Sequence, residues 1–295
     1  MFFQYSTVVN PTTANNADNL RPHNLFTLFL PDVRSTHQSH LQQENIKQQI
    51  HPTKTQIRNK MIDRTIFESL QSKIDEEAAV RDELHEIVQT LARNGRSTTA
   101  ILSRAHSTPS DQLKPVLDEA TKEILAQKEQ VTRLKALADK HPFYKYNGVW
   151  TRELQNLVSS IELCAYLGGL EEYKSNSAAS FLTIEEVGKF LDIPVNLKEQ
   201  DAFHLTIEEY LLALISMVEE LSRLAVNSVT LGDYARPVQI GSFIKDLFAG
   251  FQLLNLKNDI LRKRSDGIKY SVKKVEDVVY DLSLRNLIPK GSDNA

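Results

Sequence analysis

The fold class follows most directly from the stretch Ile207-Glu-Glu-Tyr-Leu-Leu-Ala-Leu-Ile-Ser-Met-Val-Glu-Glu-Leu-Ser-Arg-Leu-Ala225. Its main apolar residues are spaced alternately four and three apart, which is a helical heptad repeat: Ile207, Leu211, Leu214, Val218, Leu221 and Ala225. A second row at Tyr210, Met217 and Leu224 widens the apolar stripe. The repeat fits either a zipper with a helix of another chain or a central helix buried in its own bundle. The pattern alone favours the buried central helix.

Two capping boxes mark where helices begin. Thr206 and Glu209 stand at the start of the heptad stretch, and Thr183 and Glu186 repeat the same spacing upstream. In a capping box the N-cap side chain and the carboxylate three residues later each accept a hydrogen bond from the other residue's backbone N–H. The spacing therefore predicts a helix start at both places.

Apolar residues recur at helical spacing along the rest of the chain from Met61 onward. The first stretch reaches Leu102, with a break predicted around Asn94-Gly95. Further stretches lie at 117–134, 150–164, 240–254 and 272–282, in addition to the two capped helices. No segment between them alternates as a half-buried strand would, and ten glycines and ten prolines are few for a β-rich fold. The sequence predicts an all-α fold of seven helices.

Composition limits the compartment and the partners. With 41% hydrophobic and 25% charged residues the chain is ordinary for a globular protein, and no apolar run approaches the roughly 20 residues that cross a bilayer. A net charge of −3 means that local basic patches must attract any nucleic acid. The single Cys164 excludes an internal disulfide and a Cys-based zinc site. It is typical of a reducing compartment, so we expect a cytoplasmic location, with the nucleus left open as a second one.

The first 60 residues differ from the rest. They hold four of the eight histidines and many Asn, Gln and Thr residues, without sustained helical periodicity. We therefore predict a disordered N-terminal extension over 1–60, a helical domain over 61–287 and a short flexible tail over 288–295. An apolar patch from Leu25 to Leu30 leaves a targeting role open, and Met61 is an alternative natural start.

Motifs of several common enzyme classes are missing from the sequence. There is no Gly-rich phosphate loop, no H-E-x-x-H and no G-x-S-x-G. Acidic pairs remain, and a metal-dependent nuclease would need two or three carboxylates that converge on Mg²⁺. The pair Glu219-Glu220 lies beside the apolar stripe and is the candidate among them for a metal site. A solvated helix face is the more ordinary explanation of any such pair.

Basic residues are more informative. Between Glu86 and Asp111 the chain has no acid but carries Arg93, Arg96, Arg104 and His106. A second cluster mixes cations with rings: Arg133, Lys135, Lys140, His141, Lys145 and Arg152 with Phe143, Tyr144, Tyr146 and Trp150. Such a mixture suits single-stranded nucleic acid, because bases stack on rings while cations meet phosphates. The alternative is that the rings form a helix-entry cluster in the core and the cations are ordinary surface.

Four blocks in the C-terminal half are long and specific. They are Glu220-Leu-Ser-Arg-Leu-Ala-Val-Asn-Ser-Val-Thr-Leu-Gly-Asp-Tyr-Ala-Arg-Pro237, Gly250-Phe-Gln-Leu-Leu-Asn-Leu-Lys-Asn-Asp259, Leu261-Arg-Lys-Arg-Ser-Asp-Gly-Ile-Lys-Tyr270 and Val272-Lys-Lys-Val-Glu-Asp-Val-Val-Tyr-Asp-Leu-Ser283. Together they resemble the translin family. The resemblance extends more loosely back to Met61 and so covers about residues 61–287.

The resemblance implies a seven-helix bundle of the translin type that assembles into a closed oligomer, an octamer, with nucleic acid at its inner surface. It implies binding of single-stranded RNA and DNA as a scaffold subunit of an endoribonuclease complex that acts in RNA processing or silencing. The implied partner is a paralogue, translin-associated factor X. The family's heptad helix also shifts the expectation for 207–225 toward an interface role.

The resemblance also implies binding residues. The family's nucleic-acid-binding arginine on the first helix matches Arg81, and its basic aromatic segment matches Phe143-Tyr-Lys-Tyr-Asn-Gly-Val-Trp150. Lysine replaces an arginine there, and two histidines of the segment fall at Asn147 and Val149, a departure for which Arg152 could compensate. The implied nucleic-acid-binding residues are Arg81, Tyr144, Lys145, Asn147 and Arg152.

The catalytic carboxylates of the partner family are mostly missing from this chain. That family's metal-binding carboxylates fall here at Asn156, Ser159, Ser216 and Glu220, of which only the last is acidic. One carboxylate cannot hold and charge-balance Mg²⁺, so we expect no cofactor for binding, no metal residue and Glu220 only as a weak catalytic candidate. A partner subunit would then supply Mg²⁺ and the cutting. The alternatives are a Mg²⁺-dependent endoribonuclease active as a homo-oligomer, and a purely structural assembly protein.

Overall fold

The computed structural model describes residues 63–175, 180–198, 200–257 and 259–288. Within these ranges the chain is helical, and the only β-pairing is an isolated bridge between Val195 and Leu205. The predicted all-α class is therefore confirmed. The disordered extension predicted over 1–60 lies outside the described residues, as does the tail predicted over 288–295 apart from Ile288.

Nine α-helices occur in the described part of the chain. They are α1 (Arg64–Ser103), α2 (Lys114–Ala138), α3 (Phe143–Tyr146), α4 (Thr151–Tyr166), α5 (Ile184–Leu191), α6 (Ile207–Thr230), α7 (Ala235–Gln252), α8 (Asp259–Ser265) and α9 (Ile268–Leu284). Six of the seven predicted helices correspond to α1, α2, α4, α5, α6 and α7. The seventh predicted stretch lies in α9, and α8 precedes it as a separate helix. The very short α3 was not predicted as a helix.

Helix α1 continues through Asn94-Gly95, so the predicted break is wrong. The carbonyls of both residues accept hydrogen bonds one turn later, from Thr98 Oγ1 at 3.1 Å and Thr99 Oγ1 at 2.9 Å. Gln127 of α2 packs over Gly95 and donates from Nε2 to Thr98 Oγ1 at 2.7 Å. This packing against α2 offsets the roughly 1 kcal/mol that a glycine costs inside a helix.

The two ends of α1 differ in how they are covered. No residue of α1 before Leu84 is buried, whereas Leu84, Val88 and Leu91 are in the core. The first turns instead expose large apolar side chains to solvent: Ile66, Phe67, Leu70 and Ile74. The C-terminal part of α1 is therefore held by the bundle, and the N-terminal part is held mainly by its own backbone hydrogen bonds.

Helix α6 is the centre of the bundle and packs against α4, α7, α8 and α9. Its seam residues Leu214, Val218 and Leu221 are at most 3% exposed, and the second row at Met217 and Leu224 is buried too. The seam is therefore buried within its own bundle, as the pattern alone predicts, apart from Ile207, which is 47% exposed, and Leu211, which is partly buried. The interface role that the resemblance implies for this helix stays a prediction.

Both predicted capping boxes are confirmed. Thr183 Oγ1 accepts a hydrogen bond from Glu186 N at 3.2 Å, while Glu186 Oε2 accepts one from Thr183 N at 2.7 Å. The same reciprocal pair joins Thr206 and Glu209 at 3.1 and 3.0 Å. These contacts fix the first turns of α5 and α6, as the spacing of the residues predicts.

None of the helices in the described ranges is long and apolar enough to span a membrane.

Candidate nucleic-acid interface

A cleft of about 390 Å³ opens between α1, α4 and α6. Polar side chains of all three helices line it. Three belong to α1 (Arg96, Thr99 and Ser103), five to α4 (Arg152, Glu153, Asn156, Ser159 and Ser160) and two to α6 (Ser216 and Glu220). The four positions matched to the partner family's carboxylates therefore do come together in space. Three of them are neutral side chains here.

Glu220 is the acidic member of that group, and both of its carboxylate oxygens are engaged. Oε1 lies 2.6 Å from His106 Nε2, and Oε2 accepts a hydrogen bond from Arg223 at 2.8 Å. On the other side of the ring, the amide Nδ2 of Asn227 lies 2.9 Å from His106 Nδ1. Because an amide N–H₂ can only donate, Nδ1 accepts and Nε2 carries a proton toward Glu220. The carboxylate is thus held by two donors within its own chain.

The remaining cleft residues do not complete a metal site. Asn156 donates from Nδ2 to Glu153 Oε2 at 3.1 Å, and the Ser216 hydroxyl donates to the Leu212 carbonyl at 3.2 Å. Among the described residues no group of three or more His, Cys, Asp or Glu side chains is placed to hold a metal ion. Mg²⁺ prefers an octahedral set of oxygens that includes carboxylates. Two carboxylates, one of them already bound by two donors, do not fit that requirement.

The basic aromatic segment divides into core and surface. Phe143, Tyr146 and Trp150 are at most 4% exposed, so the helix-entry interpretation is right for these three rings. Phe143 stacks on His204 at 4.3 Å between ring centroids. Tyr144, in contrast, is 76% exposed and free to stack on a base.

Lys145 and Arg81 both act on one carboxylate, that of Glu77. The Lys145 ammonium is 2.6 Å from Glu77 Oε1, and this hydrogen bond raises the pKa of Lys145 and lowers the pKa of Glu77. The charge of Arg81 also lowers the pKa of Glu77. Both partners of the ion pair are well exposed to solvent, and exposed pairs are weak, so a phosphate can compete with Glu77 for Lys145.

The other predicted binding residues lie in two adjoining places. Tyr144 and Asn147 line a second cavity of about 600 Å³, to which Lys198 and Glu208 also contribute. Asn147 is half-buried, and its carbonyl accepts a hydrogen bond from Thr151 Oγ1 at 2.9 Å. Arg152 is exposed and lines the cleft between α1, α4 and α6. The five residues are thus spread over three places around α1, α3 and the start of α4.

Comparison with known proteins decides the family. The model of the translin family matches residues 79–286 of this chain. The chain belongs to the translin family.

Individual translin-family relatives support this. Translin of Mus musculus is 39% identical over 221 residues, which cover 75% of this chain and 92% of that protein. Translin-associated protein X of Mus musculus is 23% identical over 236 residues, which cover 76% of this chain and 80% of that protein. The crystal structure of AfC3PO is 17% identical, covers 75% of this chain and 98% of its own, and gives a TM-score of 0.54; in its complex with duplex RNA the TM-score is 0.52. The translin-type fold is therefore confirmed together with the family.

Two charged residues of this translin-family cleft were not predicted as site residues. Arg96 belongs to the acid-free segment of α1, and its place on the helix face toward α4 brings it to the same cleft as Arg152. Glu153 adds a second carboxylate, next to Asn156. The signal for Arg96 was the absence of acids between Glu86 and Asp111, but only the packing of α1 on α4 shows which of those cations reaches the cleft.

Proposed function

We propose that this chain binds single-stranded RNA and DNA as a scaffold subunit of an endoribonuclease complex, with cutting supplied by another subunit. The observation that carries the proposal is the cleft between α1, α4 and α6. There two exposed arginines accompany neutral Asn and Ser side chains. Of the two carboxylates, Glu153 accepts a hydrogen bond from Asn156, and Glu220 is held by His106 and Arg223. This combination favours holding a phosphate chain over activating water at a metal.

The surface beside the cleft supports single-stranded binding. Tyr144 offers an exposed ring, while Lys145 and Arg81 offer two cations around a single carboxylate. Stacking on rings together with charge attraction to the backbone is how proteins hold single strands without reading sequence. A net charge of −3 means that this local arrangement, and not the charge of the whole chain, must attract the polyanion.

The proposed assembly follows from the family and its relatives. The chain is similar both to translin and, more distantly, to translin-associated protein X. A structure that shares the fold is a complex of AfC3PO with duplex RNA. We therefore infer a closed oligomer, an octamer, that includes a paralogue like translin-associated protein X, whose carboxylates would bind Mg²⁺. A role in RNA processing or silencing, in the cytoplasm and also in the nucleus, belongs to the same proposal.

The binding surface can be tested with Lys145→Ala. We expect this change to weaken binding of a labelled single-stranded RNA roughly three- to tenfold, and to reduce the slope of log K against log salt by about 0.7, the value for one phosphate contact with a single strand. Glu77→Gln removes the competing carboxylate and should strengthen binding severalfold. Fluorescence anisotropy over a range of salt concentrations measures both quantities.

Lys245→Ala is the matched control for this surface. Lys245 forms a similar exposed ion pair, 2.9 Å from Glu276, but it joins α7 to α9, away from the proposed interface. Its removal should leave both the affinity and the salt slope unchanged. Equal losses in the two variants would point to a general charge effect, and unchanged affinity in both Lys145→Ala and Arg81→Ala would remove the site assignment.

Cleavage is tested by incubating the purified chain, alone, with a single-stranded RNA and Mg²⁺ while binding and cleavage are followed together. We expect binding without cleavage. The alternative, a Mg²⁺-dependent endoribonuclease active as a homo-oligomer, would need Glu153 and Glu220 to hold the ion jointly, since both line the cleft. Metal-dependent cleavage that disappears in Glu220→Ala and Glu153→Gln would establish that alternative.

A further inference from the structure

Arg236 is a buried cation with an unused donor. It lies in the first turn of α7 and is 8% exposed, and its Nη1 has no hydrogen-bond partner in the described part of the chain. Burial lowers the pKa of Arg236 from its ordinary value, but the guanidinium stays charged at neutral pH. A buried charge with an unsatisfied donor costs free energy unless something pairs with it.

The nearest carboxylate is used by other donors. Asp233 Oδ1 accepts a hydrogen bond from the backbone N–H of Arg236 at 3.2 Å, and Oδ2 accepts one from the Ser110 hydroxyl. Asp233 therefore fixes the start of α7 and the position of Ser110. Its charge attracts the guanidinium, yet the buried Nη1 has no hydrogen-bond partner in the described part of the chain.

Arg236 lines a cavity of about 490 Å³ at the C-terminal end of α4. Lys174 lines it too, and the Lys174 ammonium donates one hydrogen bond, to the Ala165 carbonyl at 2.8 Å, which leaves two of its three N–H donors. Among the described lining residues the only carboxylate is Glu171, which is exposed. Two cations thus share the cavity with one solvated acid.

The rest of the lining is rich in neutral donors. Burial raises the pKa of Tyr166 to about 12, so its hydroxyl keeps its proton and can donate at neutral pH. Gln239 adds an amide, which can also donate. The ring of Tyr166 packs on Phe243 with centroids 4.7 Å apart, which gives the cavity one aromatic wall.

We propose that Arg236, Lys174 and Tyr166 bind a phosphate monoester or inorganic phosphate. A phosphate carries the opposite charge to Arg236 and Lys174, and its oxygens can accept from guanidinium, ammonium and hydroxyl donors together. The volume of the cavity is also in the range of small-molecule sites. The site is separate from the proposed nucleic-acid interface, because Tyr166 and Arg152 stand near opposite ends of α4, roughly 20 Å apart at 1.5 Å per residue.

The test uses the full chain with three probes: inorganic phosphate, uridine 5′-monophosphate and uridine. Both phosphates should raise the melting temperature by a few degrees and titrate calorimetrically, with sodium chloride of matched ionic strength as the blank. Uridine should do neither. Binding of inorganic phosphate without binding of uridine 5′-monophosphate would identify free phosphate as the ligand. Binding of the monophosphate alone would identify a phosphate monoester, while equal binding of uridine would overturn the proposal, because the aromatic wall would then be the recognition element.

Three variants assign the binding to these residues. Arg236→Gln should abolish the phosphate response, and Lys174→Gln should weaken it about tenfold. Arg285→Gln, which changes an exposed arginine paired with Asp281 at 3.1 Å, should leave it intact. If Arg236→Gln does not fold, Lys174→Gln and Tyr166→Phe carry the test. A phosphate response that survives in both overturns the proposal. RNA binding should be unchanged in Lys174→Gln, so failure here is distinguishable from failure of the proposed function.

Discussion

Replacing Trp150 by alanine should lower the free energy of unfolding by roughly 3–5 kcal/mol, the usual cost of truncating a buried large aromatic side chain. Trp150 is 1% exposed and packs between Phe143 and Phe203, with ring centroids 5.9 and 5.3 Å away. Its indole Nε1 has no hydrogen-bond partner within the described ranges, so the loss comes from packing and not from a broken hydrogen bond. Urea unfolding followed by circular dichroism measures the change.

Tyr144→Ala is the matched control from the same segment. Because Tyr144 is 76% exposed, its removal should change the free energy of unfolding by no more than about 0.5 kcal/mol. The same change should weaken RNA binding by about 1–3 kcal/mol if a base stacks on the ring. Comparable destabilisation by both changes would contradict the division of this segment into core and surface.

Raising the pH from 5 to 8 should destabilise the protein through Glu162, and Glu162→Gln should remove that effect. Glu162 is fully buried on α4, with Oε2 accepting from Leu182 N at 3.0 Å and Oε1 without a hydrogen-bond partner among the described residues. Burial raises the pKa of this carboxyl from 4.5 to about 8; the nearby charge of Glu186 adds to the rise, and the Leu182 hydrogen bond and Lys174 oppose it.

The direction of the effect follows from the two pKa values. Between pH 4.5 and 8 the folded protein keeps a proton on Glu162 that the unfolded chain releases, so the folded state binds more protons. The stabilisation is complete below pH 4.5 and is lost as the pH rises through about 8. One pKa unit corresponds to about 1.4 kcal/mol, so we expect a loss of roughly 2–4 kcal/mol across this range.

Glu162→Gln keeps the shape of the side chain and carries no charge at any pH. Its free energy of unfolding should resemble that of the parent chain at pH 5 and exceed it by roughly 2–4 kcal/mol at pH 8. Glu185→Gln, at an exposed position in the first turn of α5, provides the control. Its free energy of unfolding should match that of the parent chain at both pH 5 and pH 8. If Glu162→Gln shows the same pH slope as the parent, Glu162 is ionised in the folded state.

Local signals in the sequence predict most of the helices. The capping boxes at Thr183 and Thr206 depend on residues three apart, so spacing alone identifies them. The break at Asn94-Gly95 was wrong because Gln127, a residue of another helix, covers the glycine. The same limit applies to α6, since the heptad pattern shows that a face is buried but not which chain buries it.

The candidate site was predictable in position more than in detail. Alignment of motifs brought Asn156, Ser159, Ser216 and Glu220 to one cleft, where the structure does place them. The pairing of Glu220 with His106 joins residues 114 positions apart, and no local pattern indicates it. Nor could the sequence show which rings of the basic aromatic segment point outward, because α3 and the 3₁₀ turn after it do not follow the period of a long helix.

The uneven cover of α1 divides this one helix into a rigid part and a labile part. Amide protons after Leu84 are protected by the whole bundle and should exchange with deuterium only when the bundle opens. Those of the first three turns, where every residue is exposed, depend on local fraying, which costs little where few tertiary contacts hold a helix. Glu77 and Arg81 stand at the border between the two parts. A strand of RNA that draws Lys145 away from Glu77 would therefore act at the boundary between the part of the helix that opens locally and the part that opens only with the whole bundle.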